Sequence, residues 1–227
     1  MEKIYLDDDK QVWIIENFLT QKELAWFKTQ TNDKDGWYPT MRSPYKNILN
    51  KFLNIIPKYD ETGNIIFPNT HSEVIDLPIF SDPDGVWDRL NSVLPPTYKK
   101  QATLQTFKYM TDEEIKKNAN KNALKEYNVT VEDIDFAMYW HQDPGAENNI
   151  NVSFSLYLND DFEGGELEFK NLPIKIKPKA GMLVVIPGGD KYRHRVNKVL
   201  GPNSRHTLYG NSFIDIKSAP ESTKDDC

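Results

Sequence analysis

A mainly β domain with supporting helices (α+β), its strands closing into a sandwich or a jelly roll, is the fold class this sequence predicts, on three observations. Beyond Pro96 the chain runs in short alternations of apolar and polar residues, the period of strands buried on one face. Turn signals separate those runs at close intervals, at Gly164-Gly165, at Gly181 and at Pro187-Gly188-Gly189. Two helices are announced by a threonine with a glutamate three residues on, Thr20 with Glu23 and Thr111 with Glu114, the capping-box spacing. The 227 residues fall below the length at which chains split into several domains. We read 1–216 as one domain and 217–227 as a disordered polar tail. Within the domain, 1–100 is helical and irregular support, and 101–216 is the β core carrying an inserted helical segment at 111–135.

In chain order, Val12 to Ile15 predicts a strand, and the helix begun at Thr20 presents Leu24 and Phe27 on its apolar side. Residues 33–100 are rich in proline, asparagine and aspartate, with short apolar pieces such as Ile48-Leu49 and Ile55-Ile56. They read as irregular structure, with a helix at Asp88 to Leu94 halted by Pro95-Pro96. Thr103 to Tyr109 is a strand. The helix begun at Thr111 places Ile115, Ala119, Ala123 and Tyr127 on one stripe. Val152 to Leu158 alternates cleanly, with Val152, Phe154, Leu156 and Leu158 on one face and Ser153, Ser155 and Tyr157 on the other. Shorter strands follow at Glu166 to Phe169, Ile174 to Lys177 and Met182 to Ile186.

Composition excludes several classes of function. A formal charge of −6 and a pI near 5.3 give no general attraction to a phosphate backbone, so nucleic acid is not an expected partner. No run approaches 18 apolar residues, so no membrane span is expected, and the first residues lack the basic and apolar pattern of a signal peptide. Cys227 is the single cysteine, which rules out a disulfide within the chain and fits a reducing, cytoplasmic setting.

His141-Gln142-Asp143 is the first chemical signal, because His and Asp two apart on an extended chain project from one face and reach one metal ion. The pair alone is common, and its plain reading is a surface hydrogen bond. His194, 51 residues beyond Asp143, supplies a third ligand. Two imidazoles and one carboxylate form the facial triad of non-haem Fe(II) oxygenases, which leaves coordination positions open. Arg205 lies eleven residues further on, one of five arginines in the chain, and its planar fork suits a carboxylate. His71 sits in a polar loop, His206 faces away from Arg205, and Arg193 and Arg195 face away from the side chain of His194.

From Thr103 to Phe213 the chain resembles the iron(II)/2-oxoglutarate-dependent dioxygenases of the prolyl 4-hydroxylase type. The match is carried by LQTFKY ending at Tyr109, HQD at His141 to Asp143, SLYLNDDFEGGELEF from Ser155, KPKAGMLVVIP from Lys177, and HRV at His194 followed by Arg205. VWIIENFLTQKEL near the start is similar to that family's opening strand and first helix. The resemblance implies a double-stranded β-helix, a cupin-like jelly roll. It also implies Fe(2+) held by His141, Asp143 and His194, with 2-oxoglutarate as co-substrate and Arg205 on its distal carboxylate. Tyr157 would share that carboxylate, and Tyr109 would lie near the metal end of the co-substrate; core packing is the competing reading for both tyrosines. Dioxygen and ascorbate, the latter as a stimulatory reductant, complete the implied set. The activity implied is hydroxylation at the 4-position of a proline in a peptide or protein substrate, with release of succinate and CO2.

Two departures from the family pattern stand out. Asn211 holds the place six residues past Arg205 where an aromatic is usual, and 32 residues separate Tyr109 from His141, so 111–135 reads as an insertion beside the mouth of the site. The alternatives are the same chemistry on a peptidyl lysine or a free small molecule, or a non-catalytic metal-binding jelly-roll module. The intact ligand set weighs against the module, Asp143 against halogenation, and the lack of a second arginine at position 211 against nucleic-acid demethylation.

Overall fold

The computed structural model describes residues 1–32, 37–39, 48–53, 58–59, 65–66, 85–95, 104–118, 130, 132–143 and 150–213. The strands are β1 (Ile4–Tyr5), β2 (Trp13–Ile15), β3 (Tyr38–Pro39), β4 (Ile48–Leu53), β5 (Lys58–Tyr59), β6 (Ile65–Ile66), β7 (Leu104–Tyr109) and β8 (Phe136–His141). They continue as β9 (Ile150–Tyr157), β10 (Glu163–Gly164), β11 (Leu167–Phe169), β12 (Lys175–Ile176), β13 (Leu183–Pro187), β14 (His194–Asn197), β15 (Val199–Leu200) and β16 (Arg205–Phe213). Helices run over Gln21–Asn32, Val86–Val93 and Asp112–Asn118.

A large antiparallel sheet in the order β1-β2-β13-β9-β16-β7-β4-β3 faces a smaller one in the order β12-β11-β14-β8, and β10 pairs β15 as a short ribbon. This is the jelly roll. The alternation of β9 has two destinations. Phe154 and Leu156 turn outward with Leu183, Val185 and Leu208 onto Phe18, Leu24, Phe27 and Leu90 of the helical layer. Tyr157 turns inward with Val184, Ile186, Phe107 and Tyr209 toward Met138, Leu167, Phe169 and Val196 of the small sheet. So the apolar face of β9 seats the helices, and its Ser153, Ser155, Tyr157 face looks into the space between the sheets. β13 meets apolar layers on both sides, which is why Leu183 to Ile186 is an unbroken apolar run with every residue buried.

Ile48-Leu49 belongs to β4, a six-residue strand of the large sheet paired with β7 along its length, where the sequence reads as irregular. Its composition, ILNKFL, lacks clean alternation, and its partner rather than its own pattern makes it a strand. The expected strands at Thr103, Val152, Glu166, Ile174 and Met182 form within two residues of their expected ends, and the Asp88 helix begins two residues earlier, at Val86. His71, Ala119, Ala123, Tyr127, Ile55-Ile56 and the 217–227 tail lie outside the described residues.

Both capping boxes form. The Thr20 amide donates to Glu23 Oε2 at 2.7 Å while the Glu23 amide reaches Thr20 Oγ1 at 3.3 Å, and Thr111 with Glu114 repeats the pattern at 2.9 and 3.2 Å. Glu23 does more than cap: it is 1 % exposed, and both its oxygens accept from Arg89 Nη2, at 2.7 and 2.8 Å, tying the first helix to the Val86–Val93 helix. Glu23→Ala is expected to cost about 3 kcal/mol in urea unfolding, because it strands Arg89 and a backbone donor together, against about 1 kcal/mol for Thr20→Ala.

Candidate active site

His141 ends β8 and His194 opens β14, and the two strands place them directly opposite each other. The pairing of β8 is irregular on the way: Met138 opposes Val196 and His141 opposes His194, so three steps on β8 answer two on β14. A bulge has this effect. Strict alternation from the inward Met138 would turn Trp140 inward and His141 outward. Instead Trp140 lies over Arg195 on the outer side, 4.9 Å from guanidinium carbon to ring centre, and His141 points inward, its ring 4.3 Å from that of His194.

Asp143 follows, and one ligand atom from each of His141, Asp143 and His194 lies within 4.8 Å of the others. Asp143 and His194 are buried and His141 is half-buried. Each imidazole has its tautomer set by the backbone. Nδ1 of His141 lies 2.9 Å from the Tyr139 carbonyl and Nδ1 of His194 lies 2.9 Å from that of Tyr192. A carbonyl only accepts, so each Nδ1 carries the proton and each Nε2 keeps its lone pair for the interior, the arrangement of metal-binding histidines.

The same cavity is lined by Tyr109, Ser153, Ser155, Tyr209 and Arg205. Arg205 opens β16 opposite Tyr109 on β7, and is 2 % exposed. Its guanidinium carbon sits 4.3 Å from the Tyr109 ring centre and 4.9 Å from that of Tyr157, so two aromatic faces hold the cation. Nε and Nη1 of Arg205, the Tyr157 hydroxyl and Thr207 Oγ1 are buried with no hydrogen-bond partner. Burial opposes the charge on Arg205, but the Tyr157 and Tyr109 hydroxyls outweigh it and hold its pKa above the ordinary arginine value. Burial pushes the Tyr157 phenol up against the pull of Arg205, so it keeps its proton and can donate. Unpaired donors beside a buried cation are the complement of a carboxylate. Gly165 permits this enclosure: at φ +65° a Cβ there would stand 2.9 Å from the Phe162 ring and 3.1 Å from Arg205 Cδ.

The structure brings together all six residues singled out in the sequence, His141, Asp143, His194, Arg205, Tyr157 and Tyr109. It adds Thr207, which faces Tyr157 across β16 and β9, and Tyr209, whose hydroxyl lies 3.1 Å from Asn211 Oδ1 and 3.4 Å from Asp143 Oδ1. Counting by two from Arg205 would have found both, since 205, 207, 209 and 211 share one strand face. Asn211 lies on that face and also accepts from Ser153 Oγ at 2.9 Å.

Only the two ends of the insertion, 111–118 and 130 with 132–135, lie within the described residues. β7 ends at Tyr109 beside Arg205, β8 starts at Phe136 opposite Asn197, and Ile134 packs with Met110 and Ile115. The described ends of the segment therefore leave and rejoin the barrel at the Arg205 end, because β8 spends its whole length climbing to His141. His206 turns outward as expected, with its ring 5.7 Å from that of Trp37. Arg195 pairs with Glu168 at 3.1 Å on the outer side.

The family model of the 2OG-Fe(II) oxygenase superfamily matches residues 126–212, the span that holds the triad and Arg205. Over those residues the chain is similar to that superfamily. No curated protein matches the chain in sequence. Among solved structures it is similar to a viral collagen prolyl hydroxylase from Paramecium bursaria Chlorella virus-1 in its 2OG complex, at 14 % identity and TM-score 0.52 over 92 % of this chain and 98 % of that one. It is also similar to a Pseudomonas putida prolyl-4-hydroxylase, at 16 % identity and TM-score 0.51 over 90 % and 93 %. A third is a Trichoplax adhaerens prolyl hydroxylase in complex with a hypoxia inducible factor oxygen degradation domain peptide fragment, at 15 % identity and TM-score 0.51 over 89 % and 83 %. These likenesses are of fold. The chain's donor set fits the Fe(2+) of that superfamily, and its Arg205, Tyr157 and Thr207 groups, unpaired among the described residues, fit the distal carboxylate of 2-oxoglutarate.

Two outcomes are expected. His141→Ala, Asp143→Ala and His194→Ala should each weaken Mn(II) binding by at least about a hundredfold with the metal-free melting temperature little changed, whereas His206→Ala should bind as the parent does. Burial, then the neighbouring Lys108, lowers the pKa of His206 from 6.5 to about 4. The unfolded chain therefore takes up a proton that the folded one refuses, so this contribution to stability is intact above pH 6.5 and is lost as the pH falls toward 4, by at most about 3 kcal/mol. Urea titrations of parent and His206→Asn across that range should differ in slope.

Proposed function

We propose that the protein is an oxygenase that hydroxylates the 4-position of a proline in a peptide or protein, using Fe(2+), 2-oxoglutarate and dioxygen, with release of succinate and CO2. The observation that carries the reading is one cavity with two imidazoles and a carboxylate at one end and a buried guanidinium with unpaired donors at the other. When bound, the iron and its co-substrates supply the oxidising equivalent that places one oxygen atom on a C–H bond.

The chain's own residues bind and orient. Nε2 of His141 and of His194 and the Asp143 carboxylate are the proposed iron ligands, three positions that leave three for co-substrate and dioxygen. Arg205 grips the distal carboxylate of 2-oxoglutarate with its planar fork, and the Tyr157 and Thr207 hydroxyls donate beside it. Tyr109 and Tyr157 exclude water from that ion pair with rings set close against the guanidinium. Proline as target is supported by the fold shared with prolyl hydroxylases, one of them in complex with a peptide.

The test incubates the protein with Fe(II), 2-oxoglutarate, ascorbate and a panel of proline-containing and lysine-containing peptides, and reads one-oxygen mass gains. Gain on a proline peptide with stoichiometric succinate supports the reading. Gain confined to lysine peptides would move the same chemistry to another target, and absence of 2-oxoglutarate turnover on any peptide would leave a metal-binding module. Arg205→Ala is expected to raise the KM for 2-oxoglutarate by roughly a hundredfold with Mn(II) affinity unchanged, and Arg205→Lys should recover only part, since a point charge replaces a bidentate fork.

A further inference from the structure

We propose that Glu114, carried by the inserted segment, is a positioning residue for the 2-oxoglutarate end of the pocket. The insertion then serves co-substrate binding rather than choice of substrate. The inference rests on the functional reading above and adds a residue to it.

Tyr109 and Arg205 are directly opposed across β7 and β16 and meet in the interior. Their chain neighbours, Lys108 and Ser204, meet Glu114 outside the barrel. Oε1 of Glu114 accepts from Lys108 Nζ at 2.7 Å. Oε2 accepts from the hydroxyl of Ser204, which is 6 % exposed, and from the Thr111 amide at 2.9 Å. One carboxylate thus joins the residue before Tyr109, the residue before Arg205 and the first turn of the Asp112–Asn118 helix. The helix is held against the same stretch by Asp112 on Lys198 at 2.7 Å and by a bridge between Thr111 and Val199. The Glu114 contacts to Lys108 and Ser204 lie at the ends of β7 and β16 that bear Tyr109 and Arg205, the Asp112 and Thr111 contacts lie at Lys198 and Val199, and none lies on His141, Asp143 or His194.

The chemistry needs such a clamp. Bidentate capture of a carboxylate tolerates displacements of only about 0.5 Å, and Arg205 is the first residue of its strand, where pairing restrains the backbone on one side only. The far side is Ser204, whose hydroxyl partner is Glu114 and whose carbonyl accepts from Asn159 Nδ2 at 2.8 Å. Loss of Glu114 leaves the buried Ser204 hydroxyl without that partner and frees the approach to Arg205. The triad, held by the bulged pairing of β8 and β14, does not feel the change.

The test measures 2-oxoglutarate binding to the Mn(II)-loaded protein by titration calorimetry, beside Mn(II) affinity and melting temperature. Glu114→Ala should raise the 2-oxoglutarate Kd roughly tenfold, with Mn(II) affinity within about twofold of the parent. Glu114→Gln should recover most of the loss, because its amide oxygen still accepts from Ser204 and Thr111. Ser204→Ala, which leaves the helix cap intact, should reproduce part of the effect, and it reads the same contact if Glu114→Ala folds poorly. Thr111→Ala is the control for mere helix support: it should lower the melting temperature and leave the 2-oxoglutarate Kd unchanged. Parent-like 2-oxoglutarate binding in both Glu114→Ala and Ser204→Ala would overturn the proposal alone. So would a Thr111→Ala loss of 2-oxoglutarate affinity equal to that of Glu114→Ala. A parent that takes up Mn(II) but no 2-oxoglutarate would overturn the functional reading and this inference with it.

Discussion

A guanidinium buried between two sheets with two of its nitrogens unpaired is the constraint around which this molecule is arranged. Sealing a cation from water without a counter-ion costs several kcal/mol, and only a strongly supported strand can carry it. β16 is such a strand, flanked by β9 and β7 in the middle of the large sheet. The aromatic faces of Tyr109 and Tyr157 offset part of the cost on two sides. What stays unsatisfied is the N–H edge, and an edge left unsatisfied in a packed interior marks where an anion binds.

The opposite end of the cavity is built on other terms. There the polar atoms find one another: Tyr209 lies within reach of Asn211, Ser153 and Asp143. A phenol has one proton to donate, so its bonds to Asn211 Oδ1 and Asp143 Oδ1 compete. The wall beside the triad is therefore polar where the family pattern has an aromatic, and a substrate reaching it meets an amide and a hydroxyl.

What could be read from the sequence follows the range of the interaction responsible. The two capping boxes join atoms three residues apart, and both form as the spacing predicts. The alternation of Val152 to Leu158 shows that two faces differ, but not which faces inward. The helices claim the apolar face, the cavity takes Ser153 and Ser155, and Tyr157 packs into the inner cluster beside Arg205. β4 was invisible because its pairing with β7 joins positions more than fifty residues apart, and its own residues alternate poorly. Of the site, the triad and Arg205 were legible as chemically unusual residues in a recognisable order. Thr207 and Tyr209 were not, because a threonine and a tyrosine in a strand are ordinary until the direction of Arg205 is known.

The bulge in β8 makes chain length a parameter of the metal centre. Side chains can be exchanged along Met138 to His141 while the count of residues, and so the direction of the imidazole, stays the same. Straightening β8 at its present length would restore regular pleating, keep Met138 packed against Val196 and deliver the imidazole to solvent, whereas removing one residue as well would return it to the inward face of Met138. Natural drift in this strand should therefore keep the bulge and its extra residue together or lose them together. A chimera that straightened β8 without shortening it would fold into the same barrel with no metal centre.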